Sequence, residues 1–173
     1  MPNWCSRRSR AKASTCSFRQ RSRTAPVTNR KPFWETKKLS ELNQTEWESL
    51  CDGCGQCCLI RFEDSETGAV GTTSVVCRLF EMESCRCSRY PERHHLVQDC
   101  VRLDPDSVSD FSWLPKTCAY RLMDEGRPLY EWHPLIAGNR DEIRRSGVSV
   151  YGNVVSEKNV HPDDLAWQIV KWV

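Results

Sequence analysis

Four cysteines lie within eight residues in the segment CDGCGQCC, at spacings that suit metal binding or redox chemistry. Two residues separate Cys51 from Cys54, and this spacing lets a short turn direct two thiolates at one ion, as in zinc knuckles. Cys57 extends the run to C-x2-C-x2-C, which also matches the first three ligands of a bacterial ferredoxin-type cluster. The adjacent Cys57 and Cys58 are expected to point in different directions in a helix or a strand. Either they serve two centres, or one binds metal and the other packs.

A second group of cysteines follows with wide and irregular spacing. These residues meet only through the fold, and each is either a ligand or a buried structural thiol, since free cysteine is among the most buried residue types. Two four-thiolate centres need eight ligands, so the nine cysteines between positions 51 and 118 allow both. The predicted ligand set contains all nine: Cys51, Cys54, Cys57, Cys58, Cys77, Cys85, Cys87, Cys100 and Cys118.

The compartment expected from the sequence is the cytoplasm. The chain of 173 residues contains no run of about 18 apolar residues, so no membrane span is predicted. Its N-terminus is basic but has no apolar h-region of the kind that a secretory signal requires. In a reducing compartment dense cysteines bind metal or do redox chemistry more often than they form disulfides. The odd count of nine also fits a pure disulfide framework poorly.

Charge is distributed unevenly along the chain. Residues 1–31 contain nine Lys or Arg and no Asp or Glu, whereas residues 32–173 carry 16 basic and 23 acidic side chains. We predict that residues 1–31 form a disordered basic tail. This tail is a nucleic-acid-binding arm, an organellar transit peptide, or the product of a start codon assigned too far upstream, with Val27 as the candidate start. Residues 32–173 form one predicted domain, whose acidic balance argues against a nucleic-acid surface.

The elements that position the cysteines are predicted to form an α+β fold that is mainly helical. Thr45 followed by Glu48 matches a capping box for a helix that leads into Cys51, and Gly53 and Gly55 then bend the chain into a turn.

Further elements follow along the chain. The segment RFEDSETGAVGTTSVVCRLF predicts a short hairpin or a loop followed by a strand, because a turn-rich middle precedes β-branched residues. A helix is predicted between Thr117 and Gly126. A last helix is predicted over DDLAWQIVKWV, with Trp167, Ile169 and Val170 facing the core.

Nucleophilic catalysis by a cysteine would need a partner base. His133 in the segment EWHPL is the candidate, and a lone histidine in an apolar loop is more often structural. A thioredoxin-like role for the C-x2-C pairs would need a βαβ setting, which the sequence does not show. No catalytic residue is therefore assigned.

The segments CDGCGQCC and FSWLPKTCAYRL give the chain a resemblance to the YcgN-like cysteine-cluster proteins, which extends over residues 32–173. These proteins belong to the wider CxxCxxCC family of zinc- or iron-chelating domains. The resemblance implies metal chelation by Cys51, Cys54, Cys57 and Cys58. It also implies that all nine cysteines of the body, and His133, occupy family positions. A more distant resemblance to flagellin lysine methylases, which share the CxxCxxCC string, implies an iron-dependent enzyme.

Taken together, the sequence predicts a small single domain organised around a cysteine-bound zinc or iron site, with the metal ion as its partner. Two alternatives stay open. One is an iron–sulfur cluster protein with redox or enzymatic activity, and the other is a zinc-stabilised protein-interaction module. Because zinc and iron–sulfur clusters both take four thiolates, the sequence leaves the metal open.

Overall fold

The computed structural model describes residues 31–173, in which short elements are joined by tight turns. Helical residues, α and 3₁₀ together, make up 36% of this part of the chain and strands make up 15%. The prediction of a mainly helical fold is therefore wrong. Helices end early because glycines with positive φ follow them, as Gly126 and Gly138 do. The tail predicted over residues 1–31 lies, apart from Lys31, outside the described residues.

The α-helices are one or two turns long, too short to be stable in isolation, so tertiary packing must hold them. The helix that precedes the first cysteine begins at Asn43, whose side chain accepts from the Glu46 amide at 2.9 Å, while Glu46 accepts from the Asn43 amide at 3.0 Å. This capping box lies two residues before the predicted one. Within residues 31–173 no helix has the length and apolar character needed to cross a membrane.

The bounds of the helices are as follows. The α-helices are α1 Phe33–Thr36, α2 Gln44–Ser49, α3 Arg93–Leu96, α4 Ala119–Asp124, α5 Pro134–Ala137 and α6 Asp141–Arg145. The 3₁₀ turns are Leu39–Glu41, Gln56–Cys58, Tyr90–Glu92, Val108–Asp110, Glu157–Asn159 and Pro162–Gln168.

Six strands form two small sheets. In the larger sheet β2 is central: β1 pairs with it antiparallel on one edge, confirming the predicted hairpin, while β6 pairs antiparallel and β5 briefly parallel on the other. The smaller sheet is the antiparallel pair β3–β4, which sets Phe80 opposite Cys87. The strands are β1 Leu59–Glu63, β2 Val70–Val76, β3 Phe80–Glu81, β4 Arg86–Cys87, β5 Val155–Ser156 and β6 Ile169–Trp172.

The C-terminal segment differs from its prediction. Residues 162–168 form a 3₁₀ turn and the following residues form β6, so the predicted last helix is absent. Trp167 and Val170, expected to face the core, are 85% and 69% exposed. The free edge of β2 accounts for the difference, because it accepts residues 169–172 as a strand and the Trp172 ring packs against Gly71. An apolar segment of this length has no periodicity that distinguishes the two structures.

Buried side chains form two clusters. The larger packs α2 against α4 and the 3₁₀ turns, and the smaller lies between the large sheet, β3 and the segment near Val150. The larger cluster consists of Leu39, Leu50, Val108, Leu114, Ala119, Tyr120, Leu122 and Leu129, and the smaller of Val76, Phe80, Cys85 and Val150.

Candidate metal centre

The CxxCxxCC turn connects α2 to β1. Leu50 ends α2 as a fully buried residue, which fixes the start of the turn in the larger cluster. Gly53 and Gly55 both have φ of +78°, a conformation that favours glycine. At Gly55 a Cβ atom would lie 2.6 Å from Val150 Cγ2 and 2.7 Å from Phe80 Cζ. The chain therefore turns at a point where position 55 has no space for a side chain.

Asp52 stabilises this turn from within. It is 5% exposed, and its Oδ1 accepts a hydrogen bond from the Cys54 amide at 2.9 Å. Burial raises the pKa of the Asp52 carboxyl, and hydrogen bonds from Cys54 partly oppose that rise. Its Oδ2 is buried and has no hydrogen-bond partner within the described residues. Buried polar atoms without a partner are uncommon, so the turn is built around an unsatisfied acceptor.

Four thiols surround the turn. Mainly through burial, the pKa of Cys51 is raised to about 12. Burial is also the main reason that the pKa of Cys54 lies well above its ordinary value. The charge of Cys57 also raises the pKa of Cys51 and of Cys54, and the charge of Cys51 raises that of Cys54. Cys118 joins them from 60 residues further along the chain: burial raises its pKa to about 12, and Asp52 and Cys57 contribute.

Cys57 and Cys58 are consecutive residues of the 3₁₀ turn that leads into β1. The neighbouring Cys58 thiol and burial raise the pKa of Cys57 well above its ordinary value. That the two side chains point in different directions stays a prediction.

A second set of thiols lies at the open end of the β1–β2 hairpin. The Cys77 amide donates to the Cys58 carbonyl at 3.0 Å, which keeps these two residues side by side. Burial raises the pKa of Cys77 and of Cys100, and the neighbouring Cys87 contributes to both. The second set thus comprises Cys58, Cys77, Cys87 and Cys100.

Cys85 stands apart from both sets. It is 7% exposed and packs in the smaller cluster with Val76, Phe80 and Val150. Its Sγ lies 3.6 Å from Ser149 Oγ and 3.8 Å from the Met82 carbonyl.

The donor chemistry of these sets fits a thiophilic metal, but the side chains are not arranged around one point. All nine cysteines of residues 31–173 are free thiols. In this part of the chain no three His, Cys, Asp or Glu side chains converge closely enough to share one ion. The described residues therefore supply thiol donors but do not form a finished coordination shell.

His133 holds the turn in place and has no free nitrogen. It is 1% exposed, its Nε2 lies 3.1 Å from the Leu50 carbonyl oxygen, and its Nδ1 accepts from the Leu135 amide at 3.2 Å. The ring is therefore the neutral tautomer that donates from Nε2, and burial lowers its pKa. With both nitrogens engaged, His133 connects α5 to the residue before Cys51 and has no position left for metal or substrate.

Sequence reasoning missed Arg61. This β1 residue donates hydrogen bonds to three backbone carbonyls of the CxxCxxCC region and lies over the Trp113 ring. Its sequence signal was weak, namely a charged residue three positions after Cys58 in an otherwise apolar strand start.

Comparison with known proteins defines the class. A family model described as "CxxCxxCC: Putative zinc- or iron-chelating domain" matches residues 50–119, a range that contains all nine cysteines of the body. The protein is thus a CxxCxxCC cysteine-cluster protein, as the sequence predicted.

The particular family follows from bacterial relatives. The chain is 55% identical to a UPF0260 protein of Cellvibrio japonicus over 82% of this chain and 96% of the relative. It is 51% identical to a UPF0260 protein of Allorhizobium ampelinum, over 82% and 89% of the two chains. For one from Rhizorhabdus wittichii the identity is 53%, over 76% and 90%. The chain belongs to the UPF0260 family. No solved structure matches it.

Proposed function

We propose that this protein chelates zinc or iron through thiolates grouped in two centres. The observation that carries the proposal is the match to the zinc- or iron-chelating domain over residues 50–119, a range whose nine cysteines are all free thiols. Asp52 is a charged neighbour that raises the pKa of Cys51, Cys54, Cys57 and Cys118, which supports grouping these four. Soft thiolates favour zinc and iron–sulfur clusters. A group of buried thiols with raised pKa values stays protonated without metal, and metal binding would release those protons.

The second centre would use Cys58, Cys77, Cys87 and Cys100. Support comes from the backbone hydrogen bond between Cys77 and Cys58 and from the charges of neighbouring thiols, because Cys87 raises the pKa of Cys77 and both raise the pKa of Cys100. Cys85, whose neighbours are apolar side chains and Ser149, is assigned to packing. The nine cysteines thus divide into four, four and one.

The bound metal would supply folding energy. The helices of residues 31–173 have at most seven residues, and such elements need tertiary ties. Cys118 lies at the start of α4 and the turn lies at the end of α2, so an ion shared between them would tie these helices together. Nine free thiols support a reducing compartment such as the cytoplasm.

Metal content tests this function. The full-length protein is purified without oxygen, and zinc, iron and inorganic sulfide are measured per chain together with the visible absorption spectrum. We expect two zinc or iron ions per chain, one for each proposed centre. Colourless protein with zinc supports a chelating and structural role, whereas iron with sulfide and a visible band supports the iron–sulfur alternative. Neither metal above trace would overturn the proposal.

A further inference from the structure

The Arg61 guanidinium contacts both the backbone of the CxxCxxCC turn and an aromatic ring. Its Nη1 donates to the Leu59 carbonyl at 2.9 Å and to the Cys57 carbonyl at 3.3 Å, and its Nη2 donates to the Gln56 carbonyl at 2.5 Å. The guanidinium carbon lies 3.9 Å from the centre of the Trp113 ring, within the range of a cation–π contact. The guanidinium is therefore held rigidly, on one side by carbonyls and on the other by an aromatic face.

The charge of this guanidinium lacks a carboxylate partner. Among residues 31–173, no Asp or Glu oxygen lies within ion-pair distance of Arg61, and its Nε is buried without an acceptor. Burial lowers the pKa of Arg61, and the groups whose negative charge opposes this are Cys57, Cys58 and Cys54. A half-buried cation without an anion is costly, so the metal-free thiols leave this charge uncompensated.

We propose that Arg61 is the counter-cation of the cysteine centres, a positioning residue that offsets thiolate charge when metal is bound. This inference rests on the proposed function. A divalent ion held by four thiolates carries two excess negative charges, which are costly to bury without a nearby cation. Arg61 bonds to the carbonyls on both sides of Cys57 and Cys58, and these two cysteines belong to different proposed centres. The charge of this one guanidinium thus offsets thiolate charge in both proposed centres.

The site suits arginine better than lysine. Three carbonyls accept from the two terminal nitrogens of the guanidinium fork, which also lies over the indole. Lysine would keep the charge and lose the fork and the stacking. Glutamine would lose the charge, the fork and the stacking. The two substitutions therefore separate the electrostatic contribution of Arg61 from its structural one.

The test compares Arg61→Gln and Arg61→Lys with wild type in the full-length chain. Zinc affinity is measured by competition with a chromophoric chelator, and the melting temperature is measured on metal-free protein. Arg144→Gln is the matched control, because Arg144 also lies over an aromatic ring, Tyr151, and donates to a carbonyl, that of Glu83. Cobalt substitution checks, through its thiolate charge-transfer band, that saturated variants keep the same number of thiolate ligands.

We expect Arg61→Gln to weaken zinc binding about 10- to 100-fold, Arg61→Lys to weaken it several-fold less, and Arg144→Gln to leave it unchanged within about twofold. The metal-free melting temperature should fall less for Arg61→Gln than for Arg61→Lys, because both lose the fork but only the lysine variant keeps an uncompensated charge. Equal affinities for the lysine and glutamine variants would show a structural role only and overturn the inference while leaving the proposed function intact. Wild-type protein that takes up no zinc or iron would overturn both.

Discussion

The two sets of thiols differ in how firmly the fold holds them. The first set lies against the larger buried cluster, where burial raises the pKa of Cys51 and Cys118 to about 12. The second set lies at the hairpin end, where burial raises the pKa of Cys77 and Cys100 less strongly. The first region also has Asp52, Leu50 and His133 as buried supports. We therefore expect the first proposed centre to maintain the fold and the second to exchange its metal more readily.

The largest expected effect comes from breaking the first set. Cys54→Ser should abolish one metal equivalent and lower the melting temperature by about 10 °C or more, roughly 3 kcal/mol for a chain of this size. Cys77→Ser should remove the other equivalent and lower the melting temperature by about half as much, because its surroundings are more exposed. Elemental analysis and thermal unfolding followed by circular dichroism measure both quantities.

Cys85→Ser is the control for this pair. Cys85 and Cys54 are almost equally buried, at 7% and 8% exposure, but only Cys54 lies in a thiol set. The control should keep the full metal content and lose stability only through its packing in the smaller cluster. Metal loss from Cys85→Ser equal to that from Cys54→Ser would contradict the division into four, four and one.

A smaller effect is expected at the point where the two regions touch. Gly55→Ala would drive a Cβ into Val150 and Phe80 at a φ of +78°, at a cost of about 2 kcal/mol. Gly126→Ala is the control, since Gly126 also has positive φ, +65°, but has open space around it, and should cost about 1 kcal/mol. Urea unfolding measures both free energies. Equal costs would mean that the turn is not seated against the smaller cluster as described.

The smallest effect concerns the support from His133. His133→Asn keeps an acceptor for the Leu135 amide but loses the bond to the Leu50 carbonyl, so we expect a loss of about 1 to 2 kcal/mol at pH 7. Because the folded pKa of His133 lies below its ordinary value of 6.5, the unfolded chain takes up the proton first. Its stabilising contribution is therefore complete above about pH 6.5 and is lost as the pH falls through the folded pKa.

Urea unfolding of wild type and His133→Asn between pH 5 and pH 7.5 checks this dependence. Asp52 is the charged group that favours protonation of His133, so Asp52 and His133 are the groups whose titration must be considered together. The free-energy difference between the two proteins should shrink as the pH falls. A difference that stays constant, or grows, would show that His133 is not held neutral.

The sequence predicted the parts of the site that depend on local spacing. The C-x2-C-x2-C-C run and its two glycines specify a tight turn of thiols, and both glycines adopt the expected turn conformation. The β1–β2 hairpin also follows from local signals, since its turn residues and its β-branched strand are adjacent in the chain.

The remaining features depend on contacts between distant residues. Cys118 joins the turn from 60 positions away, and Arg61 finds carbonyl partners only once the turn is formed. Trp167 and Val170 were assigned to a helix core because the free edge of β2 cannot be read from their own segment. Helix length was overestimated for a similar reason: glycine, proline and cysteine turns interrupt every helical pattern.

The distance along the chain between the CxxCxxCC turn and Cys118 has a consequence for protein synthesis. At a ribosomal rate of about 5 to 20 residues per second, roughly 3 to 12 s separate the emergence of Cys58 from that of Cys118. During that interval the turn offers its thiols to solution without the residue that completes the first set. The nascent chain is therefore most sensitive to oxidants and to competing metal ions in those seconds, before its own later residues can shield it.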